Sequence, residues 1–331
     1  MKKLLALLLA TVMIITLCGC SNNSQDTQNT KITVCLDWTP NTNHTGLYVA
    51  LANGYYQQAG LDVTIVQPPE NGATQACAAN QAQFAIDAQD TLAAAFATDV
   101  PLEVTAVAAL VQHNSSGIIS LAGQGMDTPK GITGNTYLTW DSPIEKAMMQ
   151  NVVNADGGDW SKVILEPNTV TNEALHLQAN PNDCVWVFYG WSGINAQLSG
   201  VQTDYFAFKD INPVFDYYTP ILIANNEFLA TNPDEAKAFL DATEMGYQFA
   251  IDNPEQAAQI LIDGDETKSL SGSEDLVIAS QKWLSSQYIA DSEKWGYIDP
   301  ERWNGFYQWL NEQKLVEKPL ADNTGFTNDY L

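Results

Sequence analysis

Ile32-Thr33-Val34-Cys35-Leu36, then Asp37-Trp38-Thr39-Pro40-Asn41-Thr42-Asn43-His44-Thr45-Gly46, then Leu47-Tyr48-Val49-Ala50-Leu51 is the stretch on which the fold turns. Its first part is an apolar, β-branched run that predicts a strand over 32–36, and its last part predicts a helix over 47–51. The loop between them carries a carboxylate, an indole, amides and an imidazole. In an open α/β sheet, ligands sit beyond the carboxyl ends of the strands, at loops of this kind. Asp37, Trp38, Asn41 and His44 are therefore candidate ligand contacts. Each also has a plainer use, Trp38 as a core aromatic and Asn41 or Asn43 as a helix cap.

Outward from this loop the same alternation repeats. Strands are predicted over 63–66, 83–86 and 102–110, with helices over 73–80 and 92–97 between them, which argues for βαβ units and a largely parallel sheet. Ser115-Ser116-Gly117 interrupts the pattern, with His113 just before it, and marks a crossing into a second lobe. There, strands over 118–121, 136–139, 163–165 and 185–188 alternate with helices over 144–153 and 173–178. A return strand is predicted over 220–224. After it the chain turns helical, with helices opened by Asn232-Pro233 and Asn253-Pro254, proline taking the first helical position. Trp283, Trp295, Trp303 and Trp309 in this tail read as packing residues. The domain reading is a first lobe built from 31–115 and 220–331, a second lobe of 116–219, and a hinge crossed twice: a bilobal α/β fold whose cleft closes on a solute.

The N-terminus sets the compartment. Lys2 and Lys3 precede an apolar run over 4–17, shorter than the roughly 20 residues of a membrane-spanning helix. Leu17-Cys18-Gly19-Cys20 resembles a bacterial lipobox, which implies a signal peptide over 1–19, cleavage before Cys20 and lipidation of its sulfur. The polar 20–30 segment then reads as a tether. The expectation is an exported domain, held by lipid at the extracytoplasmic face of the cell membrane.

Composition removes several function classes. The net charge of −25 repels phosphate backbones and anionic lipid, so nucleic acid is not an expected partner and the anchor must be the lipid. Cys35, Cys77 and Cys184 would remain after processing, an odd number without close spacing, which is neither a disulfide framework nor a zinc pattern. There is no Gly-x-Ser-x-Gly elbow, no Walker loop and no His-Glu-x-x-His. His44, His113 and His176 stand too far apart in sequence to suggest a metal. No cofactor and no enzymatic activity are expected.

Three further groups lie where a strand meets a loop. Trp140-Asp141-Ser142-Pro143-Ile144-Glu145 contains a capping box, Ser142 with Glu145 three residues on. Helix starts also point free amides at ligands, so Trp140, Ser142 and Glu145 remain candidate contacts. Phe188-Tyr189-Gly190-Trp191 places two large aromatics about a glycine, and Asp216-Tyr217-Tyr218-Thr219 repeats the carboxylate-plus-aromatic theme. Tyr189, Trp191, Asp216 and Tyr217 join the candidates. This chemistry suits a planar, neutral nitrogen heterocycle: aromatic faces stack on the ring, carboxylates accept from an amino group, and Asn or His meets ring nitrogens. A carbohydrate would use the same residue types.

Leu36-Asp37-Trp38-Thr39-Pro40-Asn41 with His44, Gly54-Tyr55-Tyr56, Gly60-Leu61-Asp62-Val63, Asp216-Tyr217-Tyr218, Asn225-Asn226-Glu227-Phe228-Leu229 and Phe326-Thr327-Asn328-Asp329-Tyr330 together resemble a known family. It is that of the thiamine-pyrimidine-precursor binding lipoproteins of bacterial ABC importers, related to the fungal and plant hydroxymethylpyrimidine phosphate synthases. The resemblance implies a type II periplasmic-binding-protein fold, a formylaminopyrimidine-like or hydroxymethylpyrimidine ligand, and ABC permease subunits as partners. A monomer is expected. Carried over, Trp38 would stack on the ring, Asn41 and His44 would lie at its edge, and Asp37 would orient the loop. Glu145 and Asp216 would accept from the exocyclic amine, and Tyr189 with Trp191 would form the opposite wall. The synthase branch implies an active-site lysine near the strand end that reads Phe84-Ala85-Ile86-Asp87 here, and a cysteine-rich run where this chain has Asp216-Tyr217-Tyr218; neither is present. Without that lysine there is no Schiff base for pyridoxal phosphate. The alternative that keeps a receptor changes its solute, to another aromatic nitrogen compound or an alkylsulfonate.

Overall fold

A computed structural model of the protein describes residues 29–331; the predicted signal peptide, Cys20 and all but the end of the tether lie outside the described residues. Ten strands alternate with helices among the described residues: β1 (Thr30–Cys35), β2 (Leu61–Val66), β3 (Phe84–Asp87), β4 (Val104–Ala109), β5 (Ser116–Leu121), β6 (Thr136–Thr139), β7 (Ile164–Pro167), β8 (Asp183–Phe188), β9 (Thr203–Ala207) and β10 (Ile221–Asn225). They form two five-stranded sheets, ordered β2-β1-β3-β10-β4 and β7-β6-β8-β5-β9. Thr30, read as tether, already pairs with Leu61 in β1.

Each sheet is parallel apart from one strand. β10 runs antiparallel to β3 and β4, and β5 runs antiparallel to β8 and β9. Both are the strands laid down directly after the chain passes from one sheet to the other. A strand entering from the shared side travels away from the cleft, whereas its βαβ neighbours travel towards it. The crossing therefore fixes the sense of these two strands, and the molecule is a bilobal α/β protein. β9 is absent from the sequence reading, because Thr203-Asp204-Tyr205 opens it with half-buried residues and only Phe206 and Ala207 are buried.

The helical tail holds the first lobe and the hinge. The helix Pro233–Asp252 meets the helix Thr45–Ala52 backbone to backbone. A Cβ on Gly246 would stand 2.0 Å from the Gly46 carbonyl, and one on Gly46 would enter the Tyr247 ring. Glycine is required at this contact because no side chain fits between the helices. The helix Pro300–Gln313 buries Trp303 and Phe306 in a cluster shared with residues of both sheets, including Ile221, Ile118 and Trp186. Trp295 and Trp309 are buried as well, and Trp283 packs against the first lobe's core, so the tail tryptophans do pack. Among the described residues no helix is long and apolar enough to cross a membrane.

Candidate functional site

The opening loop is locked from beneath and bare on top. Asn41 caps a short 3₁₀ turn, Thr42–His44, its Oδ1 accepting the Asn43 amide at 2.9 Å while its Nδ2 donates to the Thr39 carbonyl. The Asn41 amide donates to His44 Nδ1 at 3.2 Å, so the ring proton sits on Nε2, which donates to Asp37 Oδ1 at 2.7 Å. His44 is fully buried with both nitrogens engaged. The turn's carbonyls are held in the same way, that of Thr42 by the Tyr288 hydroxyl and that of Asn43 by the Tyr247 hydroxyl, each at 2.6 Å. What this scaffold presents outward is Trp38, 67% exposed, beside the part-exposed Asp37.

His44 thus differs from its predicted place at the ligand's edge: it is a positioning residue that holds Asp37. Asn41 spends its side chain on the cap. Asp37 is the group brought to the surface.

The Trp140 loop divides similarly. Glu145 is buried, and its carboxylate accepts from the Tyr137 hydroxyl at 2.5 Å, the Thr139 hydroxyl at 3.0 Å, the Trp140 amide at 3.0 Å and the Ser142 amide at 3.1 Å. That fills a carboxylate's usual acceptor capacity, so the predicted amine acceptor is occupied by its own loop. Burial together with the Glu145 charge pushes the Tyr137 hydroxyl well above the usual phenol range. Ser142 sits at the cap and Glu145 closes back on it as the capping box requires. Trp140 remains half exposed, its ring 5.5 Å from that of the buried Trp186.

The aromatic loop after β8 winds into a π-turn, Tyr189–Gly193, a conformation frequent at functional sites. Tyr189 packs between Tyr205 and Trp283, at centroid distances of 4.8 and 5.4 Å, and Trp191 packs partly buried against the first lobe's core. The helix Glu274–Leu284 explains this placement. Its buried Ser280 hydroxyl lies 2.6 Å from the Thr42 hydroxyl and donates to the Gly190 carbonyl, tying the opening loop to the π-turn.

Asp216 lies at the hinge. Its Oδ1 accepts the Asn114 amide at 2.9 Å and its Oδ2 lies 2.6 Å from His113 Nδ1, with the Arg302 guanidinium 3.7 Å away. His113 Nε2 in turn reaches Asp291 at 2.8 Å. With both nitrogens donating, His113 is an imidazolium, and the hydrogen bond to Asp216 raises its pKa above the ordinary histidine value. Tyr217 is fully buried, stacked on Phe306 at 4.2 Å, with no face left for a ligand.

Sequence reasoning passed over Asp87. β1 and β3 are adjacent and parallel, with Cys35 opposite Ala85, so Asp37 and Asp87 leave the sheet side by side. Burial raises the Asp87 pKa, opposed by hydrogen bonds from the Thr74 hydroxyl and the Ala88 amide, and the Asp37 charge raises it further. A carboxylate next to the loop's own was the available signal. Among the described residues no three His, Cys, Asp or Glu side chains come together to hold a metal ion.

A family model described as NMT1/THI5 like matches residues 41–257. The chain belongs to the NMT1/THI5-like family. It is similar to the formylaminopyrimidine-binding protein of Halalkalibacterium halodurans, 27% identical over 98% of each chain. It is also similar to a 4-amino-5-hydroxymethyl-2-methylpyrimidine phosphate synthase of Saccharomyces cerevisiae, 24% identical over 70% of this chain and 71% of that one. A solved ligand-binding component of an ABC-type import system from Staphylococcus aureus has a TM-score of 0.66 at 14% identity, covering 91% of this chain and 98% of that one. The fold of this NMT1/THI5-like chain is that of the type II periplasmic solute-binding proteins.

Proposed function

We propose that the protein is an extracytoplasmic solute-binding receptor of an ABC importer, taking a thiamine pyrimidine precursor of the formylaminopyrimidine type between two closing lobes, 31–115 with 220–331 and 116–219. The observation that carries the reading is Trp38, held 67% exposed on a rigid loop beside a carboxylate, in a chain similar end to end to a formylaminopyrimidine-binding protein. A rigid exposed indole costs apolar surface in water and recovers it only when a flat partner covers it. Trp38 stacks on the ring, Asp37 faces its polar edge, and Trp140 closes from the second lobe. Ser142, Tyr189 and Trp191 shape that second wall, while Asn41, His44, Glu145, Asp216 and Tyr217 position the loops.

A signal peptide ending before Cys20, a lipid on Cys20 and a monomeric domain docking on the permease complete the reading. Receptor is favoured over synthase because the strand end Phe84-Ala85-Ile86-Asp87 carries no lysine for a cofactor Schiff base. An alkylsulfonate is disfavoured because the carboxylates Asp37 and Asp87 stand at the first lobe's strand ends, where a sulfonate needs cations.

Calorimetry of the mature domain against formylaminopyrimidine, hydroxymethylpyrimidine, thiamine and taurine tests the proposal. Saturable binding of a pyrimidine is expected. Binding of taurine with no response to any pyrimidine would overturn it.

A further inference from the structure

We infer that Asp87, with Thr74 and Thr91 beside it, is the subsite that takes the exocyclic amine of the ligand, an assignment that rests on the receptor reading above. Two of the carboxylates first suited to the task are already engaged. Glu145 accepts four hydrogen bonds from its own loop, and Asp216 is taken up by His113, Asn114 and Arg302. Asp87 differs because it borders open space. A cavity of about 420 Å³ lies between the helices Ala73–Ala78 and Gln89–Phe96, and Asp87, Thr74 and Thr91 line it. That volume is in the range of small-molecule sites. Ala94 and Ala95, on an alanine-rich helix, supply the room.

The donor and acceptor count fits a primary amine on an aromatic ring. Asp87 Oδ2 accepts from the Thr74 hydroxyl and Oδ1 from the Ala88 amide, and the Thr91 hydroxyl bonds the carboxylate as well, which still leaves it short of the roughly four donors a carboxylate can accept. The Thr74 oxygen keeps its own lone pairs after donating its proton. An amino group offers two hydrogens, so one can go to Asp87 and the other to a threonine hydroxyl. Among the described residues no Lys, Arg or His lines the cavity, so none of them competes for the carboxylate. Burial already makes the Asp87 charge costly, and a ligand N–H that stabilises that charge therefore counts for more here than at an exposed carboxylate. The location agrees: Asp87 leaves β3 next to the point where Asp37 leaves β1, so the subsite neighbours the Asp37-Trp38 loop at the same end of the sheet.

The test is calorimetric titration of the mature domain and its Asp87→Asn variant, each with the aminopyrimidine and with an analogue whose amine is replaced by hydrogen. Wild-type protein should lose roughly ten- to a hundredfold in affinity for the analogue, the value of a hydrogen bond to a charged group. Asp87→Asn should lose about as much for the aminopyrimidine and lose nothing more for the analogue. Equal binding of both compounds by the wild type would overturn the assignment, and so would an Asp87→Asn variant that binds the aminopyrimidine normally or loses both compounds alike. Should Asp87→Asn not fold, Thr91→Val, at an exposed helix position, reads the same subsite through a smaller amine-specific loss, and no amine-specific loss counts against it. A wild type that binds no pyrimidine at all overturns the receptor reading itself, which the wild-type arm reports separately.

Discussion

Trp38 and His44 lie on one loop, and their surroundings give them opposite tasks. Trp38 is exposed and makes no contribution to the core, so Trp38→Ala should leave stability within about 0.5 kcal/mol of wild type. It should weaken pyrimidine binding by about 1–3 kcal/mol, the value of a base–aromatic stack. Thermal unfolding and calorimetry on one preparation check both, and retained affinity would remove Trp38 from the ring. Glu145 should behave the other way. Truncation to Ala strips four donors of their acceptor inside the second lobe and is expected to cost about 2–4 kcal/mol of stability, read from urea unfolding. This contrast marks how far the residues alone could be read. The position of Asp37-Trp38 at a strand end was legible, because ligand loops follow from sheet topology. Which of His44, Glu145 or Asp216 keeps a free lone pair was not, because residue type gives the number of hydrogen bonds a group can make and only the folded backbone decides who makes them.

At the scale of elements, the two segments that connect the lobes are laced by one imidazolium. His113, in the first crossing, holds Asp216 of the return crossing through Nδ1 and Asp291 of the helical tail through Nε2, and Arg302 stands against Asp216. Its folded pKa is raised above the ordinary value near 6.5, so the stability it contributes is fully present below that value and is lost as pH rises through the raised one. Comparing melting temperatures of wild type and His113→Gln from about pH 6 to about pH 9 should show a gap that closes with rising pH. A gap independent of pH would mean that His113 is neutral and merely packed. The crossing was visible in sequence as Ser115-Ser116-Gly117 breaking the strand pattern, and the helices after Asn232-Pro233 and Asn253-Pro254 begin where those pairs place them. The π-turn Tyr189–Gly193 left no such mark. It is set by Gly190, where a Cβ would meet Trp283 at 2.9 Å, a contact from a helix far along the chain.

For the whole molecule, affinity depends on how the ligand shifts the balance between open and closed lobes, and a ligand can shift it only by binding one state better. The bonds of Ser280 to Thr42 and Gly190 join the opening loop, at the ligand's first wall, to the π-turn of the second lobe. The bond to Thr42 lies within the first lobe, whereas the bond to the Gly190 carbonyl exists only while the π-turn stands against that lobe, and it is this bond that biases the empty protein towards closure. Loss of one buried hydrogen-bonded link is worth about 1 kcal/mol. Because affinity scales with the fraction of binding-competent protein, Ser280→Ala should weaken ligand by about fivefold. No ligand-touching side chain is removed by this change, so the effect should fall on the rate of release more than on capture. Stopped-flow tryptophan fluorescence with a pyrimidine ligand separates the two rates. Faster release with unchanged capture is the expected outcome, whereas a variant that only melts earlier and releases ligand at the wild-type rate would reduce Ser280 to ordinary packing.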